Sequence, residues 1–168
     1  MKGFLIPALL VVSVLLASCS GGGNTTPVTA ADRDQAMQAI SGAQNTAYAG
    51  GAGWSYSAAG DTMTANGPNA SVTMVFSPSY AAFGSNGSSL TITMVMTGYV
   101  DSVTGYSVSG TLTSVMTCGP TGLETITFNG TFTLQGGNVH TVTMNAQMNL
   151  TTSSYSGTVV VNGQTFVY

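Results

Sequence analysis

The feature that most constrains this chain is an alternation of period two between residues 89 and 151. Leu90, Ile92, Met94 and Met96 share one parity. Val108, Leu112 and Met116 follow, then Ile126, Phe128, Phe132 and Leu134, then Val142, Met144, Met148 and Leu150. The positions between them are almost all Thr, Ser, Asn and Gln. Successive side chains of a strand point to opposite faces, so this pattern builds strands with one buried and one solvated face. The expected strands are 53–58, 61–66, 70–77, 89–100, 105–118, 123–135, 139–151 and 154–168, with a loop of small residues at 78–88.

Side-chain size tests the register, because pairing must keep the apolar faces together. A turn at Pro120-Thr121-Gly122 puts Gly110 opposite Phe132 and Leu112 opposite Gly130. A turn at Gly136-Gly137-Asn138 puts Gly130 opposite Met144 and Phe132 opposite Val142. Joining Val100 to Tyr106 puts Met96 opposite Gly110 and Gly98 opposite Val108. Glycines thus face large side chains repeatedly, as a curved sheet requires. The expected fold is mainly β: an antiparallel meander of about eight strands, either a curled sheet or a small barrel. Asn162-Gly163 fits a two-residue hairpin turn or a bulge in one long strand, and the length of 139–151 favours the bulge. One short helix precedes the strands. Thr29 and Asp32 have capping-box spacing, Asp32 and Asp34 suit a first turn, Ala36, Met37 and Ile40 form an apolar stripe, and Gly42 ends it.

At the N-terminus, Lys2 precedes an apolar stretch, residues 3–15, and then Leu16-Ala17-Ser18-Cys19. The apolar run is shorter than the ~20 residues that span a bilayer. Small residues before the cysteine let a peptidase admit the extended chain. This segment resembles the lipobox of bacterial lipoproteins at every position, and the resemblance covers residues 1–19. It implies export, cleavage before Cys19 and a lipid on that cysteine's thiol, with several acyl chains (palmitate among them) anchoring the protein. Each buried CH₂ contributes about 0.8 kcal/mol, so more than one chain holds firmly. Ser20, not Asp, follows the cysteine, which by the same resemblance implies the outer membrane of the cell envelope. The expected organisation is a signal peptide at 1–18, the lipidated cysteine and a Gly-rich tether at 19–28, and a single β domain at 29–168. Such a tether holds the domain on average about 15 Å from the bilayer.

Composition excludes several functions. Charged residues make up 4% of the chain, against about 25% in an average globular domain. No basic patch exists, so nucleic acid is a poor partner. With Cys19 carrying lipid, Cys118 remains alone and reads as a small buried hydrophobe. Glu124, Cys118 and His140 are the only groups of acid, base or nucleophile chemistry at core-facing parity. The register puts Cys118 and Glu124 at one end of the sheet and His140 at the other, about 33 Å away. A catalytic pair needs hydrogen-bond reach, so no dyad is expected. No metal-ligand spacing and no cofactor motif is present.

Met94, Met96, Met116, Phe128, Phe132, Met144 and Met148 share the core parity. They read as adaptable core, or as the lining of a cavity for an apolar ligand. Repeated Thr-x-Thr on the other face resembles some ice-binding surfaces, but a twisted sheet lacks their flatness. The expectation is an envelope lipoprotein that is not an enzyme, with a structural or binding role toward an apolar ligand or an envelope protein. An outer-membrane β-barrel is a second reading, because Gly163-x-x-Phe166-x-Tyr168 resembles the terminal signal of such barrels. A self-associating surface protein, using low charge and open edges, is a third. An enzyme is the fourth.

Overall fold

The computed structural model describes residues 27–49, 54–67 and 69–168. Residues 1–26, and with them the signal segment, Cys19 and most of the tether, lie outside the described residues. The elements are α1 (Ala30–Ala49), β1 (Ser55–Ser57), β2 (Thr62–Asn66), β3 (Ala70–Ser77), β4 (Ser89–Val100), β5 (Ser107–Gly119), β6 (Gly122–Gln135), β7 (Thr141–Asn149), β8 (Ser154–Val161) and β9 (Gln164–Val167). The strands form one nine-stranded antiparallel sheet in sequence order, a meander that curls without closing. Alternation set the faces. Along β4, Leu90, Ile92, Met94 and Met96 are buried while Thr97 is exposed, and β5 to β7 repeat the pattern.

Glycine sets the curvature. Met96, Gly110, Phe132 and Val142 lie side by side across β4 to β7, and Leu112, Gly130 and Met144 form the next row. A Cβ on Gly130 would stand 2.8 Å from Phe132 Cε2 and 3.0 Å from Leu112 Cδ1. The Phe132 ring therefore occupies the space that the missing side chains leave. Two bulges shift the register. Tyr99, not Gly98, faces Val108, because the chain gains a residue between Met96 and Tyr99 and Gly98 takes φ 63°. Cys118 faces Leu123, so Glu124 is the extra residue of the second bulge.

The end of the chain differs from the expected single strand. Asn162 and Gly163 take φ 46° and 85°, and β9 folds back on β8 as a hairpin. Two consecutive left-handed residues are what a tight hairpin turn demands, and Asn-Gly supplies them at little strain. The sheet therefore has nine strands where about eight were expected.

α1 begins as its sequence predicts. Thr29 N donates to Asp32 Oδ2 at 3.0 Å, and Asp32 N donates to Thr29 Oγ1 at 3.1 Å, a reciprocal capping box. The helix does not stop at Gly42 but runs through it to Ala49. A Cβ on Gly42 would lie 2.7 Å from Asp101 Oδ1. This glycine serves close approach to the β4–β5 turn rather than termination. Ala36, Ala39, Ile40 and Ala43 are fully buried against the sheet. Small side chains on this face let helix and sheet come close, and alanine also favours the helix itself.

α1 crosses the buried face at one end of the strands. Asn138 Nδ2 in the β6–β7 turn donates to Asp32 Oδ1 at 3.2 Å, and Thr46 Oγ1 and Tyr99 Oη lie 3.1 Å apart. Arg33 is buried, ion-paired to Asp34 at 2.8 Å, with its guanidinium 5.1 Å from the Phe166 ring centre. The meander puts the β2–β3, β4–β5, β6–β7 and β8–β9 turns at this end. The other four connections lie at the opposite end.

Candidate functional site

Pro27 and Val28, the first described residues, lie at the end of the sheet that α1 covers. Pro27, Val28, Asp32, Gly137, Asn138, His140, Thr141 and Asn162 line a cleft of about 580 Å³ there. Asn162 organises it. Its Oδ1 accepts from His140 N at 2.8 Å and from Thr141 N at 3.0 Å, and its Nδ2 donates to Asn138 O at 2.8 Å. One turn amide thus satisfies three backbone groups of the neighbouring connection. The Thr29 hydroxyl and backbone N–H, and then the Asn138 amide, hold the Asp32 carboxyl below the usual aspartate range. The cleft therefore offers an ionised carboxylate, an imidazole and fixed amides. It contains no nucleophilic thiol.

The three chemically equipped residues do not converge. His140 is exposed at the cleft, and its carbonyl accepts from Leu134 N at 2.9 Å. Cys118 is buried and free at the opposite end of β5. Glu124 is exposed beside Gly119. Core-facing parity holds for Cys118 but not for the other two. The bulge turns Glu124 outward, and His140 precedes the first residue of β7, outside the alternation. Among the described residues, no three His, Cys, Asp or Glu side chains are grouped so as to hold a metal ion. No described helix is long and apolar enough to cross a membrane.

The seven apolar candidates share one face. Met94, Met96, Met116, Phe132 and Met144 are buried in the continuous core with Leu90, Ile92 and Val159. Phe128 and Met148 are half-buried against it, with Ala146 and Leu150, toward the end away from α1. The sequence signal that would have found the Asn162 bridge is the Asn-Gly pair, but its partner is fixed only by the register of β7 on β8. Cys19 lies outside the described residues. A scan against family models and searches of curated proteins and of solved structures return no match for this chain.

Proposed function

We propose that this protein is an exported envelope lipoprotein, cleaved before Cys19 and held in the outer membrane by acyl chains on that residue. Its β domain acts as a non-enzymatic binding or structural module for an apolar ligand or an envelope protein. The observation that carries this reading is Leu16-Ala17-Ser18-Cys19 at the end of an apolar stretch. The entry of the chain at Pro27, at one end of the strands, supports an end-on attachment. The separation of Glu124 and Cys118 from His140 by the length of the sheet supports a role without catalysis. The outward Thr, Ser and Asn side chains and inward apolar ones are the reverse of a transmembrane barrel, which presents apolar groups to lipid.

Fractionation of a bacterial host expressing the wild type and Cys19→Ser tests this. The wild type sediments with the outer membrane, and Cys19→Ser leaves that fraction or accumulates uncleaved. Identical cleavage and sedimentation of the two would overturn it.

One observation favours a second reading, self-association. The edge strands β1 (Ser-Tyr-Ser) and β9 (Gln-Thr-Phe-Val) carry no charged residue and no proline, so shortness is the guard these open edges keep. A concentration-dependent shift to dimers or larger species in size-exclusion chromatography supports this reading, and a monomer throughout opposes it.

A further inference from the structure

The end of the sheet opposite Pro27 carries an aromatic shelf. Tyr56 of β1 and Tyr80 of the β3–β4 loop leave 52% and 53% of their surface exposed. Their ring centres lie 5.9 Å apart, with planes inclined at 55°. Exposed tyrosines are usually free to turn; these two are held. Tyr56 Oη donates to Asp61 Oδ1 at 2.8 Å, and Tyr80 N donates to the same oxygen at 3.1 Å. The Tyr80 ring stands perpendicular to buried Phe76 at 4.9 Å, and Phe76 meets Phe83 edge-on at 5.7 Å. Asp61 itself takes φ 44°. Asp is one of the few residues other than glycine that take left-handed backbone, because its short side chain bonds locally. Here that conformation aims the carboxylate at both tyrosines.

The chemistry of the shelf narrows its ligand. Donation from the Tyr80 N–H and the Tyr56 hydroxyl keeps the Asp61 carboxyl below its ordinary range, so it is ionised at neutral pH. Both bonds fall on Oδ1, and Oδ2 receives no hydrogen bond from the described residues. Arg33, the basic side chain of the described residues, is engaged with Asp34 at the other end. A matching ligand brings O–H or N–H donors to Oδ2 and an apolar C–H face to the rings. A quaternary ammonium also favours aromatic faces, but it needs rings that enclose and desolvate it. Two half-exposed rings at 55° form an open shelf.

We propose that Tyr56, Tyr80 and Asp61 bind a neutral polysaccharide, its sugar rings stacking on the tyrosines and its hydroxyls donating to Asp61 Oδ2. Binding does not depend on the anchor. If Cys19 is lipidated, the shelf lies at the end of the sheet opposite the one where the chain enters.

The test is calorimetric titration of the purified full-length protein with three neutral hexasaccharides: β-1,4-linked glucose, β-1,4-linked N-acetylglucosamine and α-1,4-linked glucose. Emission from Trp54, the single tryptophan of the chain and two residues before Tyr56, serves as a local reporter. At least one sugar gives a saturable heat. Tyr80→Ala weakens that binding about tenfold or more, whereas Tyr80→Phe, which keeps the ring, binds within a few-fold of wild type. Because Tyr80 is half-exposed, circular dichroism of Tyr80→Ala stays that of the wild type. Absence of saturable heat with all three sugars, undiminished binding by Tyr80→Ala, loss of binding in Tyr80→Phe, or saturation by choline alone would each overturn the proposal. A protein that binds sugar but lacks lipid on Cys19 refutes the anchor and leaves the shelf standing.

Discussion

Gly110 on β5 lies directly opposite Phe132 on β6, and a Cβ at Gly110 would stand 2.8 Å from Phe132 Cα and 2.9 Å from its ring. Phe132 is fully buried, so its ring has nowhere to withdraw. Gly110 also holds φ 154°, at the margin of the region that favours glycine. Gly110→Ala should therefore destabilise the domain by about 1–3 kcal/mol, the usual range for overpacking. The midpoint of urea unfolding measures it, and an unchanged midpoint would mean that the sheet can relax at this row.

Gly42→Ala reverses the usual sign. Inside a helix this exchange normally gains about 1 kcal/mol. Here the new methyl meets Asp101, whose Oδ2 is fixed by Thr104 N at 2.7 Å and Thr104 Oγ1 at 2.6 Å. The carboxylate cannot turn aside without losing those bonds. Thermal unfolding should show a lower midpoint for Gly42→Ala.

Arg33 is 3% exposed, whereas its partner Asp34 has 40% of its side chain in water. Removing the guanidinium thus leaves a carboxylate that water can solvate, and the main loss is packing over Phe166. Arg33→Ala should cost about 2–3 kcal/mol and Arg33→Met less than about 1 kcal/mol. Chemical denaturation of both variants checks the order. Equal losses would make the charge, not the stem, the stabilising part.

Stability should fall in acid at a place set by Asp32 and Asp61. Hydrogen bonds from Thr29 lower the Asp32 carboxyl below the ordinary 3.8, and those from Tyr80 and Tyr56 do the same for Asp61. A carboxyl depressed in the folded state adds stability above its unfolded value and loses it as pH falls through the folded one. The melting temperature should hold from neutral pH to about pH 4 and decline below it. Asp32→Asn should make that decline shallower. At neutral pH, Thr29→Ala should cost about 1 kcal/mol through the lost cap.

The long strands and most of their register were legible in the sequence because side-chain size and parity act locally. Gly110, Gly130 and Phe132 settle one pairing without reference to the rest of the chain. The departures have different sources, one a contact distant in sequence and others local geometry that the alternation does not encode. Gly42 reads as a terminator until Asp101 is placed beside it. A hairpin and a bulge both use left-handed glycine, so Asn162-Gly163 was ambiguous until β9 folded back on β8. Glu124 left the core face because an added residue at a bulge inverts parity. The Tyr56–Asp61–Tyr80 shelf gave no signal, since Tyr80 reaches Asp61 from a loop two strands later.

Intact-mass and N-terminal peptide mass spectrometry of the protein purified from bacterial membranes reads the proposed lipid on Cys19 without an intermediary. The mature chain should begin at Cys19 and be heavier than its peptide mass by a diacylglyceryl group and a further acyl chain. A mature chain beginning elsewhere, or one beginning at an unmodified Cys19, would contradict it.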